Sequence, residues 1–362
     1  MKKVLHILSA IDGGGGERVV YNYYEHIDRD KVHFDVTAID TGRKQLLEDG
    51  FRKLGGGVIY VPKKIIPRLR VINKILKEGN YDAIHCHRIF LAEVYLLLGF
   101  INHVHIRIAH AHMAYVVGHK KGRFLNWLFK PLLKFLTTDR LACGKAAGIY
   151  VWGSLKNVTI LNNAIDLNKF SYSPDIRYKY RKKLGVFDDE ILIGHVGRFN
   201  SQKNHVFLLK VFDELCNLYS TRSFHLVMIG DGELKSSIEE RTYKLDNKDK
   251  IHFLGLQQDV YNWMQAFDLF LLPSLFEGLP VVGVEAQAAG LPCVFSTSIT
   301  SEFKMGENVE FISLDTPLAE WAKAVYELSE SQTRENNRKL ISQRGYNIEI
   351  ECKKLEKIYC RE

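Results

Sequence analysis

Short apolar runs alternate with longer helical segments along almost the whole chain. The first series of strand candidates runs from KVLHILSA to TILNNAI, and the second from ILIGHVGRF to LPCVFST. Segments with helical periodicity, such as KNHVFLLKVFDELCNLY, lie between many of these runs. Strands that alternate with helices favour parallel sheets covered by helices on both faces. The two series therefore predict an α/β protein with two Rossmann-like, doubly wound domains.

A polar stretch divides the two series. At 362 residues the chain exceeds the usual size of a single hydrophobic core. The stretch SYSPDIRYKYRKKLGVFDDE begins at residue 171, directly before the second series. We therefore predict an N-terminal domain over residues 1–170 and a C-terminal domain over residues 171–345. The amphipathic tail, about residues 346–362, predicts a helix that closes the N-terminal domain.

Composition and cysteine usage narrow the class of protein. Apolar residues make up 46% of the chain and charged residues 25%, which is typical of a globular protein in water. The six cysteines are scattered without a CxxC pair, which favours reduced thiols over a disulfide framework. The first apolar run is too short for a signal peptide, and IFLAEVYLLLGFI is too short to span a bilayer. We expect a cytoplasmic protein.

Positive charge is concentrated in the first half of the chain. Residues 1–180 carry 28 Lys and Arg against 15 Asp and Glu, whereas the whole chain has a formal net charge of +8. Such asymmetry indicates a basic face that meets an anionic partner. Nucleic acid, an anionic membrane surface and a phosphate-bearing lipid would each fit.

Two carboxylates stand in an otherwise small and apolar stretch, LFEGLPVVGVEAQAAG. LFLLPS before it predicts a buried strand, and Pro280 predicts the first position of a helix that ends near Gly290. Glu277 then lies in the loop and Glu285 just over one turn into the helix. An unpaired buried carboxylate is costly, so protein donors or a ligand must satisfy them. The amides at a helix N-terminus attract phosphate, and a carboxylate can accept from two vicinal hydroxyls of a sugar. The alternative is that both glutamates are only helix N-terminal charges that the helix dipole favours.

The same stretch resembles the E-x7-E signature of the family 4 retaining glycosyltransferases, which have the GT-B fold with an interdomain cleft. GRFNSQKNHVFLLKVF resembles the G-R-x4-K loop of that family, LVMIGDGEL its G-x-G segment and IHFLG its F-x-G strand end. The N-terminal glycine loop followed by Glu17 is also similar. These segments occur in the family's order and span nearly the whole chain.

The resemblance implies a role for each element. Glu285 would hold the ribose hydroxyls of a sugar nucleotide, and Glu277 would contact hydroxyls of the donor sugar. Arg198 and Lys203 would grip the diphosphate and stabilise the charge that develops as it leaves; the alternative is a solvated loop. Further donor-binding residues are implied beside these side chains and in the glycine segments: Gly15, Gly16, Gly197, Gly230, Leu254, Gly278, Leu279, Pro280 and Val281.

The glycine loop IDGGGGER follows the first predicted strand but is not a dinucleotide fingerprint. After Gly16 come Glu17 and Arg18, so G-x-G-x-x-G is not met, and no Walker lysine follows. Glycines let the backbone approach a ligand closely, here the donor diphosphate or the acceptor. A flexible surface turn is the alternative.

Histidines cluster in IHCHR and RIAHAHM, at the carboxyl ends of two predicted strands. The family has a histidine at the second position that contacts a hydroxyl of the donor sugar, and by resemblance His110 or His112 fills it. We favour His112 because it lies nearer the loop. A metal site formed by His85, Cys86 and His87 with these two residues is the alternative, although period-two spacing equally fits ordinary strand ends.

Two basic segments of the first half favour a membrane surface. HKKGRFLNWLFKPLLKFL, residues 119–136, combines lysines and an arginine with Phe, Trp and Leu, as in a helix that lies in a membrane interface. PKKIIPRLRVINKILK, residues 62–77, adds positive charge. An ordinary helix with its apolar stripe inward is the alternative. We expect peripheral docking on anionic lipid, where a lipid-diphosphate-linked acceptor would be presented.

Taken with the resemblance, these features predict a retaining glycosyltransferase that needs no metal or other cofactor. It would move a sugar from a nucleoside-diphosphate sugar, with UDP expected, to a hydroxyl of a glycan or lipid-linked glycan in surface polysaccharide synthesis. The family's same-face mechanism implies that the leaving phosphate helps to deprotonate the acceptor hydroxyl. The alternatives are another GT-B sugar-nucleotide enzyme, such as an epimerase, and a basic nucleic-acid-binding protein, for which the chain shows no motif.

Overall fold

The computed structural model of the protein describes residues 1–87, 91–112, 129–330, 334 and 336–362. The chain divides into two compact units. The first unit comprises Met1–Ile165 together with Gly345–Glu362, and the second comprises Asp166–Arg344.

The described part of the first unit contains a parallel sheet in the order β3-β2-β1-β4-β5-β6-β7. Parallel pairing brings the carboxyl ends of neighbouring strands to one edge of the sheet, and the order reverses between β1 and β4. The strands are β1 (Lys2–Ile7), β2 (Val32–Ile39), β3 (Gly57–Val61), β4 (Ala83–Cys86), β5 (Ile106–Ala111), β6 (Asp139–Ala142) and β7 (Val158–Ile160).

Helices connect these strands, as the sequence predicts. The connecting helices are α1 (Gly15–His26), α2 (Glu48–Lys53), α3 (Ile65–Glu78), α4 (Ala92–Ile101) and α5 (Lys145–Trp152). Residues 129–136 are also helical. Apolar side chains from β1, β4 and β5 form the core with those of α3 and α4, including Leu5, Ile72, Ile84, Leu96 and Ala109. Strands that are buried on both faces of a parallel sheet have largely apolar sequences, and β1, β4 and β5 follow this rule.

The second unit repeats this architecture. The described strands form a parallel sheet in the order β10-β9-β8-β11-β12-β13, which reverses between β8 and β11. The strands are β8 (Ile191–Val196), β9 (Phe224–Ile229), β10 (Ile251–Gly255), β11 (Leu269–Leu272), β12 (Cys293–Ser296) and β13 (Val309–Ile312). The α/β prediction is confirmed, and the strand order of both sheets is that of the Rossmann fold.

The second unit has its own helices, and its own core. The helices are α6 (Pro174–Leu184), α7 (His205–Leu218), α8 (Lys235–Thr242), α9 (Val260–Ala266), α10 (Val281–Ala288), α11 (Leu318–Ser329) and α12 (Arg338–Gln343). The core joins β8, β9 and β11 to α7 and α11 through Ile193, Leu208, Leu226, Leu271 and Trp321. The tail forms α13 (Ile348–Cys360), which belongs to the first unit.

Strand β13 was not predicted from the sequence. It pairs only with β12, at the edge of the sheet, and Glu310 within it is exposed. Four residues with one charged side chain give too short a pattern to distinguish an edge strand from a loop.

None of the helices described has both the length and the apolar character needed to cross a membrane.

Candidate active site

Two loops of the second unit converge where its strand order reverses. One loop follows β8 and contains Arg198 and Lys203, and the other follows β11 and contains Glu277. Because β8 and β11 are neighbours in a parallel sheet, both loops leave the same edge side by side. Ligands of open α/β sheets bind in the crevice at such a reversal.

Glu277 is satisfied by three protein side chains. Its Oε1 atom accepts from Lys203 Nζ at 2.6 Å and from Ser274 Oγ at 3.0 Å. Its Oε2 atom accepts from Gln202 Nε2 at 3.0 Å. Only 13% of the Lys203 side chain and 9% of the Glu277 side chain are exposed, so solvent screens this ion pair little.

The loop that carries Lys203 is fixed by its own polar residues. Asn200 caps a short 3-10 helix, Ser201–Lys203, by accepting from the Lys203 amide at 3.2 Å. Asn204 adopts a left-handed conformation and donates from Nδ2 to the Pro273 carbonyl at 3.1 Å. The Leu275 amide donates to the Gln202 carbonyl at 2.8 Å. The two loops are therefore joined through both backbone and side chains.

Two buried histidines lie beneath Lys203. His205 stacks on Phe199 with ring centroids 4.1 Å apart and lies edge-on to His195 at 4.7 Å. Burial, together with the nearby Lys203 ammonium, lowers the pKa of His205 to about 4. His195 is shifted the same way by burial, by His205 and by Lys203. Both rings are therefore neutral at pH 7, and Lys203 carries the positive charge of this part of the site.

Arg198 differs from Lys203 in its exposure. Its Nε atom lies 3.5 Å from Glu233 Oε2, and 71% of its side chain is exposed. An exposed ion pair of this kind contributes little to stability. Arg198 is therefore placed to reorient toward a ligand, whereas Lys203 is held in position.

Glycines allow the backbones of this edge to approach closely. A Cβ atom on Gly230 would lie 2.0 Å from the Gly197 carbonyl oxygen, and Gly230 has φ +145°. A Cβ atom on Gly197 would meet the Lys203 side chain at 2.9 Å. The Gly230 amide donates to the carbonyl of Gly255, and Leu254 precedes that residue in β10. Any larger residue at Gly230 would separate the loops after β8 and β9.

Helix α10 begins beside Glu277, at Val281. Pro280 is the N-cap residue rather than the first helical residue, with φ −70° and ψ 111°, so the predicted start was one position early. No side chain caps this end, and the first amides of a helix have no intrahelical acceptor. Gly278 and Leu279 lie in the loop before Pro280, and Glu285 is a half-buried residue just over one turn into the helix. This helix end can accept an anion.

The predicted residues of the second unit thus form one group. Lys203 and Glu277 are in direct contact, and the Gly230 loop supports the Arg198 loop through Gly197. The arrangement presents two cations and a helix N-terminus to an anion, and two carboxylates to hydroxyl groups. This chemistry suits a phosphorylated sugar or nucleotide.

The glycine loop of the first unit precedes α1. Gly14 is the N-cap residue, and its amide donates to Glu17 Oε2 at 2.9 Å, so Glu17 forms half of a capping box. Among the described residues, a Cβ atom on Gly15 would meet nothing within 4 Å, and one on Gly16 would reach only His112, at 4.0 Å. The two glycines therefore leave open space over the helix N-terminus.

Five histidines lie at the carboxyl edge of the first sheet, where its strand order reverses. They are His6, His85, His87, His110 and His112. His6 Nδ1 lies 2.9 Å from His87 Nε2, and His87 Nδ1 lies 2.9 Å from His112 Nε2. His110 is 1% exposed, and neither of its ring nitrogens makes a hydrogen bond of ordinary geometry to the part of the chain that the structure describes.

Burial keeps these imidazoles neutral. It lowers the pKa of His6 to about 3 and that of His112 to about 4, and the neighbouring Asp35 and Asn163 oppose the two shifts only in part. His85, His87 and His110 are lowered well below the ordinary value by burial and by the other histidines. Neutral imidazoles can act as hydrogen-bond donors and acceptors at once, or as metal ligands.

The structure changes the set of residues that could form the alternative metal site. His87, His110 and His112 have ring nitrogens within 4.8 Å of one another, as do His6, His85 and His87. Cys86 belongs to the apolar core instead, since alternate residues of β4 face opposite sides of the sheet.

Several residues of these sites were not predicted. Gln202 and Ser274 satisfy Glu277, and His6 and Tyr359 extend the histidine group. The contact of Tyr359 with His85 joins residues 274 positions apart, which no local pattern reveals. His6 was detectable in principle, because a histidine near the end of a first strand shares its sheet edge with the other strand ends. Residues 119–128 of the predicted interfacial segment lie outside the described residues.

Comparisons with known proteins show the family to which the chain belongs. Residues 176–346 match the profile of the family described as "Glycosyl transferases group 1", and residues 13–169 match that of "Glycosyltransferase Family 4". A putative glycosyltransferase of Bacillus subtilis (strain 168), EpsF, is 34% identical over 99% of this chain and 96% of its own length. A capsular polysaccharide biosynthesis glycosyltransferase of Staphylococcus aureus, CapH, is 24% identical over 99% of both chains.

A further relative and a solved structure also resemble this chain. A UDP-Gal:alpha-D-GlcNAc-diphosphoundecaprenol alpha-1,3-galactosyltransferase of Escherichia coli is 25% identical over 81% of this chain and 79% of its own. The crystal structure of Anabaena HepE in complex with UDP and glucose superposes with a TM-score of 0.82, covering 100% of both chains at 18% identity. The two-sheet architecture described above is thus the GT-B fold.

Proposed function

This chain belongs to the family 4 glycosyltransferases, and we propose that it transfers a sugar from a UDP-sugar to a hydroxyl of a glycan or lipid-diphosphate-linked glycan, with retention of anomeric configuration. The observation that carries the proposal is the Lys203–Glu277 pair at the reversal of the second sheet, beside the N-terminus of α10. The surface-polysaccharide context rests on the functions of the relatives from S. aureus and E. coli.

The leaving group of the proposed reaction is a nucleoside diphosphate. Lys203 and Arg198 would stabilise the charge that grows on it as the glycosidic bond breaks, together with the amides before and within the first turn of α10. Glu285 would accept from the ribose hydroxyls. In the same-face mechanism that the family resemblance implies, a phosphate oxygen takes the proton of the acceptor hydroxyl.

Glu277 has a second role in this proposal. Hydroxyls of the donor sugar would donate hydrogen bonds to Glu277, which Ser274 and Gln202 hold in position in the free protein. Because these partners preorganise the carboxylate, little reorganisation is needed when the sugar binds. The family resemblance implies that His112 contacts a hydroxyl of the donor sugar. No step uses a metal ion.

A transfer assay tests the proposal. Purified protein in excess EDTA is supplied with UDP-glucose or UDP-galactose and a synthetic lipid-diphosphate-linked sugar, and UDP release and the anomeric configuration of the product are measured. We expect transfer with retention from one of the donors, and a loss of about 10²-fold or more in Glu277→Gln. Glu48→Gln is the matched control, because Glu48 is also a carboxylate with a cationic partner but belongs to the first unit. Inversion, or activity that EDTA abolishes, would contradict the proposal.

We also propose that the first unit docks on an anionic membrane surface. The end of α4 and residues 129–136 expose large apolar side chains close together, and the Phe100 and Phe135 rings lie 6.4 Å apart. Phe135 is 74% exposed, and Ile101 beside Phe100 is also exposed. Lys134 adjoins Phe135 in sequence, and Arg107 lies over the Phe100 ring. Apolar insertion flanked by cations is typical of interfacial binding.

Vesicle flotation tests this second proposal. Vesicles with anionic phospholipid should bind the protein at low salt and release it at high salt, and vesicles of neutral phosphatidylcholine should not bind it. Phe135→Ser should weaken binding about tenfold. Phe187→Ser, which removes an equally exposed phenylalanine from the second unit, should not change it. Equal losses in both variants, or no binding to any vesicle, would overturn this proposal and leave the transferase proposal intact.

A further inference from the structure

A continuous series of hydrogen bonds leads from α13 to His112. Tyr359, which is fully buried, has its hydroxyl 2.6 Å from His85 Nδ1 and 3.4 Å from His6 Nε2. His6 Nδ1 lies 2.9 Å from His87 Nε2. His87 Nδ1 in turn lies 2.9 Å from His112 Nε2. We call these four residues, Tyr359, His6, His87 and His112, the relay.

A neutral imidazole has one N–H group and one bare nitrogen. Each ring of the relay must therefore donate on one side and accept on the other, so the direction of one hydrogen bond fixes the direction of the next. Burial holds His6, His87 and His112 neutral, which keeps this restriction in force near pH 7. The relay as a whole has only two states, which place opposite nitrogens of His112 in the protonated form.

The Tyr359 hydroxyl decides between the two states. Its contact with His85 Nδ1, at 2.6 Å, is shorter than N–H···O bonds usually are, but it suits an O–H donor. The phenol proton therefore lies toward His85, and the phenol oxygen faces His6 Nε2 as an acceptor. His6 consequently carries its proton on Nε2, and its Nδ1 atom accepts from His87 Nε2.

We propose that Tyr359 fixes His112, through His6 and His87, as the tautomer that is protonated on Nε2 and bare on Nδ1. His112 Nε2 then donates to His87 Nδ1, and His112 Nδ1 is left as an acceptor. That Nδ1 atom is buried and, among the described residues, makes no hydrogen bond of ordinary geometry, although Asn163 lies close enough to oppose the lowering of the His112 pKa. The side-chain amide of Asn163 does not decide the tautomer, because an amide can present either an oxygen or an NH2 group to the ring.

The tautomer of His112 determines which ligand group its Nδ1 atom can bind. A bare imidazole nitrogen accepts from a hydroxyl group and repels an oxygen that has no proton. This step rests on the proposed function: His112 would accept from a hydroxyl of the donor sugar, and a donor that lacks this hydroxyl would be bound less tightly. Tyr359, His6 and His87 are positioning residues in this account, since they act through His112 and touch no substrate.

Nitrogen-15 NMR of the histidine rings in the wild-type protein tests the tautomer directly and does not depend on activity. We expect His6, His85, His87 and His112 all to be protonated on Nε2 and bare on Nδ1 at pH 7, with assignments from single His→Gln variants. A His112 ring protonated on Nδ1, or a charged His112, would overturn the proposal even if the protein proved an active transferase.

Tyr359→Phe keeps the buried ring and removes only the hydroxyl. Without the phenol the two states of the relay become close in energy, so the His112 signals should report a mixture of tautomers. The rate of sugar transfer should fall about tenfold, the effect of one misdirected hydrogen bond, with the affinity for UDP unchanged. Tyr180→Phe removes a buried tyrosine hydroxyl that pairs with Asp259 in the second unit and should leave both readouts unchanged.

A double-mutant cycle separates the relay from general destabilisation. His87→Gln interrupts the relay between His6 and His112. Once it is present, Tyr359→Phe should reduce the transfer rate by less than about twofold further, because the two residues act as one unit. Losses that multiply in the double variant would overturn the proposal. If UDP binds neither to the wild-type protein nor to any variant, the proposed function is wrong. The NMR result still determines the tautomer of His112 in that case.

Discussion

Lys203 and Glu277 hold each other in the ligand-free site. Their 2.6 Å contact joins the loops after β8 and β11, and both side chains are largely shielded from solvent. A carboxylate with this cation and two neutral donors is satisfied without a ligand. The pair therefore stabilises the free protein, and it also keeps an ammonium group ready at the position where a diphosphate would bind.

Alanine substitutions should separate the two cations of the site. Lys203→Ala should lower the free energy of unfolding by about 1–3 kcal/mol, because Glu277 loses its charged partner. Arg198→Ala should change it by less than about 0.5 kcal/mol, because the side chain is 71% exposed. Both substitutions should reduce the rate of transfer by about 10²–10³-fold, since each removes a cation that stabilises the leaving group. Urea unfolding and UDP release measure the two effects.

The contrast between these variants is the informative result. Equal stability of the two variants would mean that the Lys203–Glu277 contact does not hold the loops together. A normal transfer rate in Arg198→Ala would remove Arg198 from the site.

At the scale of elements, the loops after β8 and β9 of the second sheet depend on one close backbone approach. Gly230 directly follows β9 in a conformation that residues with side chains rarely adopt, and its α-carbon faces the Gly197 carbonyl. The amide of Gly197 in turn donates to the Ile229 carbonyl at 2.9 Å. The position of the Arg198 loop therefore depends on the absence of a side chain at residue 230.

Gly230→Ala should disturb this approach. The methyl group would lie 2.0 Å from the Gly197 oxygen and also impose backbone strain. We expect a loss of about 2–4 kcal/mol in the free energy of unfolding and at least about a tenfold loss in UDP affinity. Gly185→Ala, also at positive φ but with open space around the added methyl, isolates the strain and should cost only about 1 kcal/mol with UDP affinity unchanged. Similar losses of UDP affinity in both variants would refute the role of the Gly197 contact.

Elements with strong periodic patterns were predictable from the sequence, and short ones were not. The buried runs of β1, β8 and β9 and the long helix α7 follow directly from their apolar spacing. The helix after LFLLPS was placed to within one residue, because a proline fits equally well at the N-cap or at the next position. Strand β13 was missed because pairing with β12, rather than its own sequence, determines it.

The candidate site was predictable in its residues but not in its contacts. Arg198, Lys203, Glu277 and Glu285 were identified from their motifs. That Lys203 pairs with Glu277 could not be read from a separation of 74 residues, since it depends on β8 and β11 being neighbours. The contribution of Tyr359 was unpredictable for the same reason, because it comes from the helix after the second unit.

At the scale of the whole molecule, both units share one strand order and place polar residues at the same topological position. The reversal lies between β1 and β4 in one sheet and between β8 and β11 in the other. In the first unit neutral histidines occupy it, and in the second an ion pair does. Repetition of one fold with different side chains at the reversal gives the two units different ligand chemistry.

The buried histidines make stability depend on pH. His6 has its pKa lowered to about 3, and His112, His205 and His252 have theirs lowered to about 4. Between those values and about 6.5, the unfolded chain binds protons that the folded chain does not, so stability is lost as pH falls. Each such histidine can contribute up to about 1.4 kcal/mol per pH unit. The carboxylate Glu190, with its pKa lowered to about 2, acts only at lower pH.

Urea unfolding at about pH 7, 6 and 5 checks this dependence. We expect the free energy of unfolding to fall steeply across this range, and His205→Gln should reduce the slope. His105→Gln, at an exposed position, should leave it unchanged. A free energy of unfolding that is constant from pH 7 to pH 5 would show that these histidines are not held neutral by burial.

We propose that the second unit binds a nucleoside diphosphate through Glu285 and the Lys203 loop. Calorimetric titration of UDP, GDP and ADP, without metal, into the wild-type protein and Glu285→Gln tests it most directly. We expect UDP to bind most tightly and the substitution to weaken its binding by about tenfold or more, because an uncharged amide accepts less well from the ribose hydroxyls. Equal affinity of the two proteins for UDP, or no binding of any nucleotide, would contradict it.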